Sequence, residues 1–338
     1  MAATRAMVST KAVELRTRKG LMWTMAVLVL AIPVIVYVIR FIDHAVDPSR
    51  TGPAGSPAVF SFLTDLMASF GFIAAATLGA SAGTTDLSDG VFRHLVITGR
   101  SRVALYLARI PAGLAIIVPL VGATFAMICL VTSFAGAPSP SVVTLQTSSG
   151  STISVPAALS ESQFTTWAEQ HGVSSQIAVG GPDGGAPEVD PLYTFYVANE
   201  VRELTPPVNE YVKIGLWAET VVVVGFLVGL GLGTLIGQRT VSTILLIVLQ
   251  IVLTPIATMA QIPDFINGQR LIVGVALAQL RPTFLRSMGG EINGAPKFGG
   301  RGALGYGPMP TWAMVAVIVV WIVGWTAIGA RKCATRDT

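Results

Sequence analysis

The chain has 338 residues, 52% of them hydrophobic, and only 12% charged, about half the charge of an ordinary soluble domain. So few charges cannot cover the surface of two soluble domains, and a mean hydropathy of +0.67 points to lipid as the second solvent. The net charge of +4 comes from 22 Lys and Arg scattered without a run, which excludes nucleic acid as the default partner.

The first twenty residues are polar and basic, and Leu21 to Ile42 is an apolar run long enough to cross a bilayer. No small-residue cleavage box follows it, so it is expected to stay as an anchor. Further runs follow at Phe60 to Gly83, Ile110 to Phe134, Leu216 to Gly237, Val241 to Ala260 and Thr311 to Ala330. Helix is expected for all six, because a lone strand cannot satisfy its backbone in lipid. Prolines 33, 111, 119 and 255 fall in or at the ends of these runs, where neighbouring helices tolerate them.

Placing the N-terminus inside makes 1–20, 84–109, 238–240 and 331–338 the inner segments. They hold 13 Lys and Arg in 57 residues, against 8 in the 148 residues of 43–59, 135–215 and 261–310. Basic residues concentrate on the cytoplasmic side, so both termini are predicted to be cytoplasmic. Separated this way, the inner segments carry +9, the outer −4 and the spans −1. The basic charge is therefore a topology signal.

The second and fourth spans each carry small residues every four positions: Gly71, Ala75, Gly79 and Gly83, then Gly225, Gly229, Gly233 and Gly237. Each set forms one helix face where backbones can approach closely. Packing inside the bundle is the favoured reading and a seam between two copies the alternative. Asp65 and Glu219 are charges inside spans, which makes them candidates for a translocation path. Each lies one or two turns from the outer end, so a solvated or paired carboxylate is the competing reading, for example Glu219 with Lys213 or Arg40.

The inner segment 84–109 is predicted to begin with Asp86 capping a short helix whose Leu87, Val91 and Leu95 share a face. Thr98-Gly99 stops it, and Arg100, Arg102 and Arg109 are expected to mark the membrane surface. In the outer segment 135–215, Val142 to Leu145 and Thr152 to Val155 read as a hairpin around Ser148-Ser149-Gly150. Ser160 and Gln163 form a capping box for a helix that Gly172 stops. The expected product is a small α/β extracytoplasmic insertion between the third and fourth helices. In 261–310, the ten apolar residues Leu271 to Leu280 are too few to span and suit a re-entrant or interfacial helix, with Arg281 and Arg286 at headgroup level.

Gly79-Ala80-Ser81-Ala82-Gly83 matches the nucleophile-elbow pattern GxSxG, which needs a strand before it and a helix after it. Here it ends an Ala- and Gly-rich membrane helix whose glycines packing already explains, so coincidence is preferred to an intramembrane serine hydrolase. Histidines 44, 94 and 171 fall on different sides of the membrane, and Cys129 and Cys333 are far apart, so no metal site or disulfide framework is expected. No GxxxxGK[ST] motif is present, so the chain has no P-loop of its own.

The stretch Asp89-Gly90, Leu95, Thr98-Gly99-Arg100-Ser101-Arg102, Ala108-Arg109 resembles the loop between the second and third spans of type-2 ATP-binding-cassette exporter permeases. Glu14-Leu15-Arg16 resembles the elbow helix before that family's first span. Six spans, both ends inside and a re-entrant segment before the last span agree with it. The likeness covers about two-thirds of the chain. Val91 stands where the family often has Thr, Gly99 where it often has Pro, and the outer cap is larger than usual. The resemblance implies an all-α permease subunit in the cytoplasmic membrane of a bacterium, with no cofactor of its own. It would pair with a second permease copy or a relative and with P-loop ATPase subunits holding ATP and Mg. Residues 86–97 would be the coupling helix, with Asp86, Asp89, Gly90, Phe92, Arg93 and Leu95 contacting the ATPase. Export of a lipid-like, drug-like or peptide substrate is the implied task. A membrane anchor presenting the outer cap as a binding or sensing module is the alternative.

Overall fold

A computed structural model describes residues 5–47, 53–88, 101–136, 142–146, 152–156, 159, 161–171, 208–248, 270–282, 284–285 and 309–335. The described residues are mostly helical, and five of their helices are long and apolar enough to cross a membrane. The chain is a multi-pass membrane protein.

Helix α1 (Arg5–Thr17) precedes the first span, which is built from α2 (Lys19–Ala26), a π-helical turn (Val27–Ala31) and α3 (Ile32–Val46). Pro33 sits in the first turn of α3. It has no N–H to give the carbonyl four residues back, and its ring crowds that carbonyl. The widened π turn before it takes up the misfit without breaking the span. Farther along α3, the buried Tyr37 hydroxyl lies 3.1 Å from both the Ile128 carbonyl and the Thr132 hydroxyl. Tyr37→Phe is expected to cost about 1 kcal/mol, read as a lower melting temperature of the detergent-solubilised protein.

The second span, α4, runs Pro57–Ser88, and the third, α5, runs Arg102–Ala135. Ser101 caps α5 by accepting from the Ala104 N–H at 3.2 Å. At 32 and 34 residues, both helices are about 50 Å long, well beyond the roughly 30 Å hydrocarbon core. Two of the predicted boundaries therefore move. The helix expected to end at Gly83 continues to Ser88, so Asp86 lies in its last turn. The helix expected to start at Ile110 begins at Arg102.

Strands β1 (Val142–Gln146) and β2 (Thr152–Pro156) pair antiparallel in the register Val142↔Pro156 to Gln146↔Thr152. Helix α6 (Glu161–Gln170) follows directly after the predicted cap residue Ser160. Val155, Phe164 and Ala168 are buried, and Trp167 stacks on His171.

The fourth span, α7, is Val208–Ile236, and Gly237 ends it. Its φ of 75° lies in the left-handed region, which glycine enters without the steric cost other residues carry. Gly237 is therefore the stop of α7 and not the fourth member of its small-residue ridge. The chain turns back at once into α8 (Arg239–Ile247), the start of the fifth predicted run; residues 249–260 of that run lie outside the described residues. Helix α9 (Val273–Gln279) falls within the predicted re-entrant segment, and α10 (Thr311–Thr335) is the last span.

Helices α4 and α7 form the centre, with 61% and 72% of their most apolar stretches buried against 22% in each of the other three spans. The outward faces of those three are apolar, including Ile35, Ile39, Leu130, Val319 and Val323. Lipid suits such faces, and water does not.

Candidate functional site

The two small-residue ridges face each other. A Cβ placed on Gly225 would lie 2.8 Å from the Phe72 carbonyl oxygen, one on Gly233 2.6 Å from that of Ala80, and one on Gly83 2.8 Å from that of Leu230. Gly79 and Gly229 are equally tight against the backbones of Phe226–Leu230 and Ala76. Ala75 is fully buried between these contacts, and Gly71 meets the Val222 side chain. Backbone-to-backbone approach of this kind replaces the hydrophobic drive that lipid cannot supply. The favoured reading of the ridges, packing inside the bundle, is what the structure has.

One end of the bundle is tied together by basic residues. Arg109, expected at the membrane surface, is 2% exposed and donates to the Gly83 carbonyl at 3.3 Å. It places a positive charge near the carbonyl end of α4, where the helix dipole is negative. Helix α1 packs along α5, with Leu15 buried. Cys333 Sγ donates to the Arg102 carbonyl at 3.6 Å, and Arg102 reaches the Ala334 carbonyl at 3.4 Å. The start of α5, the end of α10, the end of α4 and helix α1 thus meet. Asp89, Gly90, Phe92, Arg93 and Leu95 lie in the 89–100 connection between α4 and α5, outside the described residues.

The opposite end holds the segment expected to be re-entrant or interfacial. Asp65 forms an ion pair with Arg281, 2.5 Å apart, so Arg281 sits against α4. Trp217 and Trp321 donate their indole N–H groups to the Leu277 and Leu271 carbonyls at 2.9 and 2.8 Å. The Met309 N–H donates to Gln279 Oε1 at 3.1 Å. Trp321 is ten residues into α10, about 15 Å along it, so the segment dips between the helices. Arg286 lies outside the described residues. Gly55 also belongs to this end, donating its N–H to the Ala135 carbonyl at 3.1 Å.

Glu219 lies on the α7 face turned to α5, with Oε1 3.3 Å from where a Gly122 Cβ would be. Neither predicted partner reaches it. Lys213 pairs with Glu210 at 2.6 Å. Arg40 is exposed, one turn beyond Tyr37, which already sits at the level of Ile128 and Thr132.

Ser81 is in the middle of an unbroken helix, 1% exposed, donating to the Thr77 carbonyl at 2.8 Å. No strand or turn precedes it, so the elbow geometry is absent. Among the described residues, no three His, Cys, Asp or Glu side chains gather closely enough to hold a metal ion.

The sequence matches no known family and no curated protein. The described residues hold a linked basic end, an opposite end where the 271–279 segment dips between helices, and one carboxylate in a span without a partner among them.

Proposed function

We propose that this chain is the permease subunit of an ATP-driven exporter in a bacterial cytoplasmic membrane, with six spans and both termini in the cytoplasm. It would act with a second permease copy or relative, and with P-loop ATPase subunits that hold ATP and Mg. This chain carries no ATPase site. The substrate class implied is lipid-like, drug-like or peptide, and the α/β element between α5 and α7 would stand outside the cell.

The observation that supports this reading best is the mechanical linkage at the basic end. Residues 89–100 join two helices that extend beyond the hydrocarbon core. Helix α1 packs along one of them, and the end of α10 is hydrogen-bonded to its first turn. A push delivered to that connection by a closing ATPase dimer reaches α1, α4, α5 and α10 together. The α4–α7 seam is tight at the backbone and moves as one body. Helix α5 differs, because Pro111 and Pro119 lie inside it. Each removes a backbone hydrogen bond, leaving a place where the inner extension can bend relative to the span. Rocking about that place opens the bundle alternately to the two sides, while the re-entrant segment closes the outer end.

The test is co-purification and efflux. The full chain should bring down a P-loop ATPase whose activity it modulates. Asp89→Lys combined with Phe92→Ala should cut ATPase retention by about tenfold, the loss of a few interface contacts, and abolish efflux while insertion is unchanged. Intact ATPase binding and efflux in that variant would refute the coupling assignment.

A further inference from the structure

Of the two carboxylates inside the predicted spans, Asp65 pairs with Arg281, and Glu219 has no partner among the described residues. Among the described residues Glu219 Oε2 is buried without a hydrogen-bond partner; Lys213 is engaged with Glu210 and Arg40 lies farther outward. Oε1 faces Gly122, a position with no side chain to obstruct it. Along the same α5–α7 seam, Phe125 lies against Gly215, one turn outward of Glu219. Tyr211 stands two turns outward on α7, edge-on to Phe60 with ring centroids 5.2 Å apart. Phe125 and Tyr211 are both only partly buried.

An ionised carboxylate at this depth in lipid is costly unless a positive charge meets it. Aromatic faces beside it attract cations as well and cover the apolar body of a ligand. A neutral lipid-like or drug-like molecule would gain nothing from the carboxylate and would leave it desolvated. An anionic one would be repelled. We infer that Glu219, with Phe125 and Tyr211, forms a recognition site for an amphipathic organic cation in the seam between α5 and α7. This rests on the exporter reading for its transport role, but binding itself needs no ATPase. Glu219 supplies the counter-charge, and the rings pack on the apolar part of the cation.

The experiment uses the full chain in nanodiscs of zwitterionic lipid, with tetraphenylphosphonium as the cationic probe and tetraphenylborate as its anionic isostere. The wild type should bind the phosphonium saturably and the borate only by partitioning. Glu219→Gln should weaken phosphonium binding by about tenfold or more, as expected for losing a partly desolvated charge pair. Glu219→Asp should keep most of it. Because this carboxylate supports no other side chain, Glu219→Gln should melt no lower than wild type. Equal phosphonium binding by the wild type and Glu219→Gln, or no saturable binding by the wild type, would overturn the site. A lower melting temperature of Glu219→Gln would also overturn it, by making Glu219 a structural group. Failure to retain an ATPase would refute the exporter reading and leave these binding outcomes unaffected.

Discussion

Gly229→Leu is expected to abolish the folded bundle, whereas Gly324→Leu is expected to leave it intact. Both substitutions put the same side chain into a membrane helix, and both raise helix propensity relative to glycine. Around Gly324 nothing lies within 4 Å of the added Cβ, and the leucine enters lipid. At Gly229 the first added atom already lies 2.8 Å from Ala76 Cα and from its carbonyl carbon. Even Gly229→Ala should cost about 1–3 kcal/mol, the usual range for overpacking, and leucine more than the seam can absorb. The obstruction is backbone, so Ala76→Gly should fail to rescue Gly229→Ala. Gly113 makes the contrast. The three atoms nearest its added Cβ all belong to the ring of Phe226, so Phe226→Ala should relieve the clash that Gly113→Ala creates. Yield of monodisperse protein and melting temperature in detergent distinguish these outcomes. Rescue at Gly229 by trimming Ala76 would mean that the seam is held by side chains.

Why the ridges were visible in the sequence and their pairing was not is a matter of range. A spacing of four fixes a face on one helix, because side-chain direction is local. Which helix that face meets depends on tertiary placement. Period alone also admits Gly237 to the ridge. The competing signal was there in the short connection Gly237-Gln238 before Arg239, since a glycine just past a helix commonly stops it.

Charges were harder to place than apolar runs. Arg109 is expected at the membrane surface, and the structure buries it. Yet Ser101 was an N-cap signal directly before Val103, Leu105 and Tyr106, and it marked the true start of the helix. Asp65 stood out as a charge inside a span, but its partner Arg281 is 216 positions away in sequence. No local pattern encodes such a pair. Pro33 announced an irregularity in the first span, though not that a π turn would absorb it. That neither Lys213 nor Arg40 reaches Glu219 depends on tertiary placement and not on sequence spacing.

The Asp65–Arg281 pair should respond asymmetrically when broken. Arg281 is 11% exposed and Asp65 37%. Asp65→Leu leaves a guanidinium largely cut off from water. Removing one partner of a fully buried pair costs about 3–5 kcal/mol, and the partial exposure here lowers the expectation to about 2 kcal/mol. Arg281→Leu leaves a carboxylate that water can still reach, and should cost about half as much. The loss should be local in both cases. Trp217, Trp321 and Gln279 still hold the segment through Leu277, Leu271 and the Met309 N–H. Hydrogen exchange should therefore accelerate in residues 270–285 while α4 and α7 stay protected. Asp65→Leu with Arg281→Leu should recover most of the stability lost in Asp65→Leu alone, because the poorly solvated guanidinium is removed with its carboxylate. A double variant as unstable as Asp65→Leu would mean that the ion pair, and not the three remaining hydrogen bonds, sets the re-entrant segment in place.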